Sequence, residues 1–372
     1  VMLPVTDSHK ISRAKLAFII DATAAPVCMI APVSSWAAAV SEFTKGTGYS
    51  GIELFVRAIP YNYYSLLMFV FIIALTLMKF DYGPMRLHEF NAVTKGDLFT
   101  SGKDDAEKAE ITDANPNGKV IDLLIPVIVL VVMAIIGLIY VGGFFAGSDF
   151  ITAFGDTDAT VGLPWGVIIA LIFTIAYLMI RRVVTFKEAM ECIPKGFCAM
   201  VPAILILTFA TSLKNMTGLL GAANYVEMLM DSAAAGLANF LPAIIFLVAC
   251  VLAFSTGTSW GTFGILIPIV TAIFDPTSEL LIIACLAGAV CGDHCSPISD
   301  TTIMSSAGSQ SNHINHVSTQ LPYAITVAAI SFVIYLLAAW IQNAFILLPI
   351  GILLTVGTLF VIRSVTKNKR IV

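Results

Sequence analysis

The sequence predicts an all-α, polytopic membrane protein, and three observations carry that reading. Of 372 residues, 58% are hydrophobic and 12% charged, where soluble domains average roughly half and a quarter; mean hydropathy is +0.92. Apolar runs close to the twenty or so residues that a helix needs to cross a bilayer fall at 62–80, 121–141, 162–180, 196–213, 323–341 and 344–362. Three more segments, 14–40, 239–270 and 279–306, are apolar but interrupted by Pro, Gly, Ser and Asp. This composition excludes a soluble enzyme with a large core. The interruptions predict a re-entrant hairpin and discontinuous transmembrane helices.

Taken in order, residues 1–40 read as the end of a hairpin followed by a first discontinuous helix. The ground is a faint internal repeat. Leu3–Pro4–Val5–Thr6 matches Ile267–Pro268–Ile269–Val270–Thr271, and Pro26–Val27 precedes Ser34–Ser35 at the spacing by which Pro297–Ile298 precedes Ser305–Ser306. An acid stands before each later proline, Asp21 and Asp293. Because Val1–Thr6 aligns with the end of a longer motif, and the chain opens on valine, an N-terminal truncation is expected.

Residues 41–213 read as transmembrane helices with a cytoplasmic loop at 81–119, where Lys95, Lys103, Lys108 and Lys119 alternate with acids. That loop is expected to be a solvated linker or a small surface helix. Residues 214–322 read as the second hairpin and discontinuous helix, and 323–372 as C-terminal spans with a cytoplasmic tail. Lys and Arg mark cytoplasmic segments, here Arg181, Arg182, Lys187 and Lys195 in one loop and Arg363, Lys367, Lys369 and Arg370 in the tail. Counting back from the tail puts 307–322 inside and 41–61 outside. That closes only if 239–270 turns back on itself, which makes the two copies of the motif an inverted repeat.

The chemistry concentrates at AGAVCGDHCSPISDTTIMSSAGSQSNH, Ala287 to His313. Ionisable groups at bilayer depth are costly and mark ion or proton pathways by default. Pro297 cannot donate to the carbonyl of Asp293, and Pro26 and Pro32 do the same to Ala22 and Cys28. Backbone freed in this way is tolerated at membrane depth only where it is buried in protein or lines a cavity. Carbonyl-rich helix ends at the break favour a cation.

Asp293 and Asp300, seven residues apart, would share one face of an unbroken helix. There protons would compete with a metal cation for the carboxylate oxygens. Asp300 could instead cap the second half-helix. In the hairpin, Ser255, Thr256, Gly257, Thr258, Ser259, Trp260, Gly261 and Thr262 form a polar tip. Its hydroxyls and carbonyls suit a hard cation, and a small-residue packing surface is the other reading. The candidate ion- and proton-binding residues are therefore Asp21, Thr23, Ser255, Thr256, Thr258, Ser259, Asp293, His294, Ser296, Ser299, Asp300 and Thr301. Na+ itself is placed at Asp293, Asp300 and Thr258.

His294 reads equally as a proton relay or as a hydrogen-bonded structural group. His313 and His316 have a metal-like spacing but sit among Asn312 and Asn315, which suits a cytoplasmic loop or helix start. Trp36, Trp165 and Trp340 suit interface or packing positions. The seven cysteines include no CxxC pair and read as small buried hydrophobes. Lys214–Asn215 reads as a snorkelling lysine at the end of a span.

GTSWGTFGILIPI, followed by GDHCSPISDTTIMSSAGSQSNHINHVSTQLPYA, resembles the NhaC-type Na+/H+ antiporter family of the wider ion-transporter superfamily, as does TDSHKISRAKLAFIIDATAAPVCMIAPVSSW. The resemblance implies two inverted halves, each with a re-entrant hairpin and a discontinuous helix meeting near the midplane. By that implication Ser255–Thr262 is the second hairpin tip, Asp293–Thr302 the second break and Asp21–Pro26 the first. It also implies that the first hairpin is missing from this chain apart from its last turn, Met2–Thr6.

Together these readings predict a secondary transporter of the bacterial inner membrane that exchanges Na+ for H+. Its expected partners are Na+, H+ and the lipid bilayer, with no cofactor and no nucleic acid; self-association into a homo-oligomer stays open. The rival within the same architecture is an organic-anion exchanger or symporter. Against it, neither break carries the Arg or Lys that would pair with a substrate carboxylate. The Asp–His–Cys–Ser cluster resembles an enzyme's catalytic set only superficially, because it lies in an apolar segment rather than facing water.

Overall fold

A computed structural model describes residues 3–31, 36, 40, 51–100, 118–155, 157–219, 238–273 and 279–367. Every regular element among them is helical: α1 Leu3–Ser8, α2 Arg13–Ala22, α3 Ala25–Cys28, α4 Gly51–Ala58, α5 Tyr63–Met78, α6 Pro84–Lys95, α7 Ile121–Val141, α8 Phe150–Gly155, α9 Ala159–Ile180, α10 Phe186–Leu219, α11 Leu241–Thr256, α12 Ser259–Ile273, α13 Glu279–Cys295, α14 Asp300–Ser309, α15 His313–Leu337 and α16 Ala344–Lys367, with short 3-10 turns between some of them. Four helices among the described residues are each long and apolar enough to span a bilayer: Ile121–Val141, Thr160–Ile180, His313–Leu337 and Ala344–Thr366. The chain is an all-α, polytopic membrane protein.

Two compact units form, one from Val1–Ile30, Ala58–Glu110 and Gly218–Val372, the other from Ala31–Arg57 and Ile111–Thr217. In the second unit α7 packs on α9 through glycines. A Cβ on Gly137 would collide with the backbone of Gly162, and one on Gly166 with that of Met133. Such small-residue contacts let helix backbones approach closely in lipid, where no hydrophobic force drives them together. At one end Asp122 takes Arg181 Nε at 2.9 Å and Tyr177 OH at 3.0 Å. Leu123, Val127, Ile128, Leu171 and Ile172 point outward, as lipid-facing residues do.

The first unit contains the interrupted segments. Ser12 caps α2 by accepting from Lys15 N, and Asn312 caps α15 by accepting from Ile314 N and Asn315 N, the usual way an N-terminal helix donor is satisfied. α11 ends at Gly257, whose φ of +65° belongs to the left-handed region that glycine adopts without strain. The chain turns there and α12 begins after Thr258, whose Oγ1 accepts from Gly261 N at 3.2 Å. A Cβ on Gly257 would lie 2.8 Å from Ile298 O, so the tip of the α11–α12 turn abuts the segment between α13 and α14. α13 lies against α11 so closely that a Cβ on Gly288 or Gly292 would strike the backbone of Phe246 or Cys250. Leu280–Cys295 and Asp300–Ser309 are bent by 44° at their break.

Several expectations need adjustment. The loop at 81–119 contains α6, but this helix is packed rather than superficial, with Met85, His88, Asn91 and Ala92 buried. It docks on α2, where Glu89 Oε1 accepts from Ser12 N at 2.8 Å and Asp81 pairs with Lys15 at 2.7 Å. The basic loop is shorter than the charges suggest, because α10 begins at Phe186 and so carries Lys187 and Lys195. Cys285, Cys291 and Cys295 are buried, but Cys192 and Cys198 on α10 are exposed. Trp36 is buried, whereas Trp165 and Trp340 are exposed, the latter edge-on to Phe240. Pro32, Ser34, Ser35, Lys103, Lys108 and the tail beyond 367 lie outside the described residues, as do the side chains of Lys214 and Asn215.

Candidate ion site

Two helices stop inside the first unit, each with a carboxylate on its last turns. α2 stops just after Asp21 and α13 two residues after Asp293. Asp21 is 0% exposed and Asp293 2%. Stranding a carboxylate in an apolar interior is expensive unless it is paired or hydrogen-bonded, so their partners define the site.

Asp293 Oδ2 accepts from Ser259 Oγ at 2.7 Å, so the first residue of α12 reaches the last turn of α13. Asp21 Oδ2 accepts from Thr302 Oγ1 at 2.9 Å and from Gln320 Nε2 at 2.8 Å. The same Gln320 amide donates to the backbone carbonyl of His294. That carbonyl lies in the last turn of α13, where no intrahelical donor follows. One side chain of α15 thereby ties both interrupted helices together. The other oxygens, Asp21 Oδ1 and Asp293 Oδ1, are buried with no hydrogen-bond partner among the described residues, and so is His294 Nε2.

The break itself runs from Ser296 to Ser299. Ser296 N turns back to Asp293 O at 3.0 Å, taking the carbonyl that Pro297 cannot serve. Ser296 Oγ donates to Phe254 O at 2.8 Å and so joins the break to α11. Ser299 Oγ lies 3.0 Å from Thr301 Oγ1. His294 is fully buried, with Nδ1 2.7 Å from Tyr64 OH on α5 and its ring stacked near Phe18.

The structure thus brings together Asp21, Ser259, Asp293, His294, Ser296 and Ser299, with Thr301 beside Ser299. Five candidates are placed otherwise. Asp300 is exposed in the first turn of α14 and its Oδ1 accepts from the adjacent Thr301 N at 2.9 Å. The seven-residue spacing from Asp293 holds a common face only on a continuous helix, and the break removes that continuity. Ser255 and Thr256 are exposed and donate to Val251 O and Leu252 O of their own helix. Thr23 is likewise turned back onto Ile19 O at 2.6 Å. Thr258 serves as the cap of α12.

Sequence reasoning missed Tyr64 and Gln320 and left Thr302 out of the candidate set. A glutamine inside an apolar span was the available signal for Gln320; Tyr64 offered none among its aromatic neighbours. His316 belongs to a helix start as expected, but it is fully buried rather than in a loop.

Residues 27–340 match the model of the Na+/H+ antiporter family. Over 353 residues the chain is 36% identical to an uncharacterized protein of Haemophilus influenzae, covering 91% of this chain and 66% of that protein. Over 205 residues it is 29% identical to a malate-2H(+)/Na(+)-lactate antiporter of Bacillus subtilis, covering 53% of this chain and 42% of that one. The chain therefore spans less than two thirds of the length of these relatives. No solved structure matches it.

Proposed function

Because the chain belongs to the Na+/H+ antiporter family, we propose that it exchanges Na+ for H+ across the bacterial cytoplasmic membrane by alternating access. The observation that supports this reading best is the pair of buried carboxylates at two helix ends, each with one oxygen bonded and the other without a partner among the described residues. Oxygen ligands suit a hard cation, and Asp293 Oδ1, the Ser259 hydroxyl and the carbonyls ending α13 make up such a set. A proton on Asp293 removes the charged ligand, so proton and cation exclude each other at one group. That exclusion couples their movements.

In this reading Asp293 takes the cation and the exchanged proton by turns, and Asp21, held by Thr302 and Gln320, relays that proton to it. Ser259 orients Asp293 from the hairpin, and Ser296 fixes the break against α11. Na+-driven proton efflux from proteoliposomes containing the protein tests the exchange. An Asp293→Asn variant that still exchanges normally would refute the assignment.

A second reading draws on the named activity of the Bacillus subtilis relative: an organic carboxylate carried alongside Na+ and H+. Arg13 on α2 is the buried cation that such a substrate would need, but it is already engaged by Asp7 at 2.9 Å. Flux that requires malate or lactate would favour this reading; flux with Na+ alone favours simple antiport.

A further inference from the structure

Beyond Asp21 and Gln320 lies a group that the exchange reading does not use: Ser306 on α14, with His313 and His316 at the start of α15. Ser306 Oγ lies 2.8 Å from His316 Nδ1 and 3.0 Å from His313 Nδ1. Two imidazoles therefore address one hydroxyl, and the protons can be counted from what surrounds them.

His313 Nε2 lies 2.6 Å from Pro297 O, a carbonyl that only accepts, so this nitrogen carries hydrogen. His316 Nε2 faces Gln320 Oε1 at 2.8 Å. The amide is fixed that way round because its nitrogen donates to Asp21 Oδ2 and to the His294 carbonyl, both acceptors. His316 Nε2 therefore also carries hydrogen. If both rings were neutral, both Nδ1 atoms would be bare and would compete for the single hydroxyl proton. Thr302 O, 2.8 Å from Ser306 Oγ, competes for it as well. At least one ring nitrogen would then face an oxygen lone pair in a buried site, which is costly. One added proton resolves the conflict: a cationic ring donates to Ser306 Oγ while the hydroxyl donates to the other ring. A second added proton would satisfy the bonds too, but would set two cations against one oxygen.

We infer that His313, Ser306 and His316 form a binding site for one excess proton, shared across the serine hydroxyl and delivered beside Asp21. His313 is half-buried and His316 fully buried, so the pair leads from the more accessible ring to the hidden one. The transfer balances. His313 Nδ1 gives its proton to Ser306 Oγ as Ser306 gives its own to His316 Nδ1, and the positive charge moves inward with no net change. His316 Nε2 lies 3.9 Å from Asp21 Oδ2, so the inner position puts the charge next to that carboxylate. Ionisable groups on the elements packed here include Arg13 and Lys15 on α2, Tyr64 on α5, Arg86, His88 and Glu89 on α6, Asp293 and His294 on α13, Asp300 on α14 and Tyr323 on α15.

This inference deepens the exchange reading and rests on it for its purpose, but its test needs no transport. In the protein labelled with 15N-histidine and held in lipid nanodiscs, NMR separates protonated from bare ring nitrogens. His313→Gln and His316→Gln assign the two rings. Between about pH 5 and 8, where imidazole ordinarily titrates, the pair should hold one proton on Nδ1 that appears on both rings by exchange. Ser306→Ala should leave both Nδ1 atoms bare at the same pH, and Ser306→Thr should restore the shared proton. Bare Nδ1 on both rings of the unaltered protein throughout that range would overturn the inference. So would a Ser306→Ala spectrum unchanged from the parent. Neither result bears on whether Na+ drives proton flux, which the liposome assay decides separately.

Discussion

The two helix breaks of the first unit differ in how they are made. Between α2 and α3 the chain loses only Thr23 and Ala24 from helical geometry, and the local hydroxyl turns back onto its own helix. Its carboxylate, Asp21, takes hydrogen bonds on Oδ2 from residues far along the chain, Thr302 and Gln320. Between α13 and α14 four residues leave the helix, and their hydroxyls reach Phe254 O on α11 and Thr301 Oγ1 in the first turn of α14. Asp293 meets Ser259 at the start of α12 instead of a distant helix. One break therefore lends its charge to residues far along the chain, and the other builds its own surroundings.

This difference predicts unequal roles, and the largest effect should fall on the second break. Asp293→Asn should abolish both Na+ binding, read with 22Na+ on purified protein, and Na+-driven proton flux. Asp21→Asn should abolish the proton flux while leaving 22Na+ binding detectable. Equal loss of binding in both variants would make the breaks equivalent halves of one cation site and dissolve the distinction.

A smaller effect is expected at the link. Gln320→Leu leaves the His294 carbonyl and one bond of Asp21 unmet, at about 1–3 kcal/mol. It should lower the Tm and slow exchange without removing it. Smallest of all, Asp300→Asn should reduce stability by no more than about 1 kcal/mol, the value of an acid in the first turn of a helix, with near-normal exchange. Thr256→Val, at an exposed hydroxyl bonded to its own helix, should fall within about 0.5 kcal/mol of the parent in stability. A severe transport defect in Asp300→Asn would return that residue to the ion site.

What could be read from the sequence followed from local rules. The span 121–141 coincides with α7, and Pro297 and Gly257 mark a break and a turn because backbone chemistry at those positions leaves little choice. What could not be read depended on continuity or on distance. Asp293 and Asp300 are seven residues apart, yet one is buried and the other exposed, because the helical period stops at the break between them. Tyr64 and Gln320 reach the site from 230 and 299 residues away from their partners His294 and Asp21. No local pattern records such a meeting. The polar neighbours of His316 suit a loop or helix start, but Asn312 caps α15 and His316 turns inward one turn later.

The account rests on Na+ and H+ competing at Asp293, and the most direct test is the Na+ dependence of proton flux at a series of fixed pH values. Linkage requires that each bound proton oppose the cation, and reciprocally that Na+ expel protons. On the acid side of the site's titration the apparent Na+ affinity should fall about tenfold per pH unit for one-for-one competition. Asp293→Glu should shift that limb along the pH axis. A Na+ affinity that stays constant from acid to alkaline pH would mean that proton and cation occupy separate sites, and would contradict the competition outright.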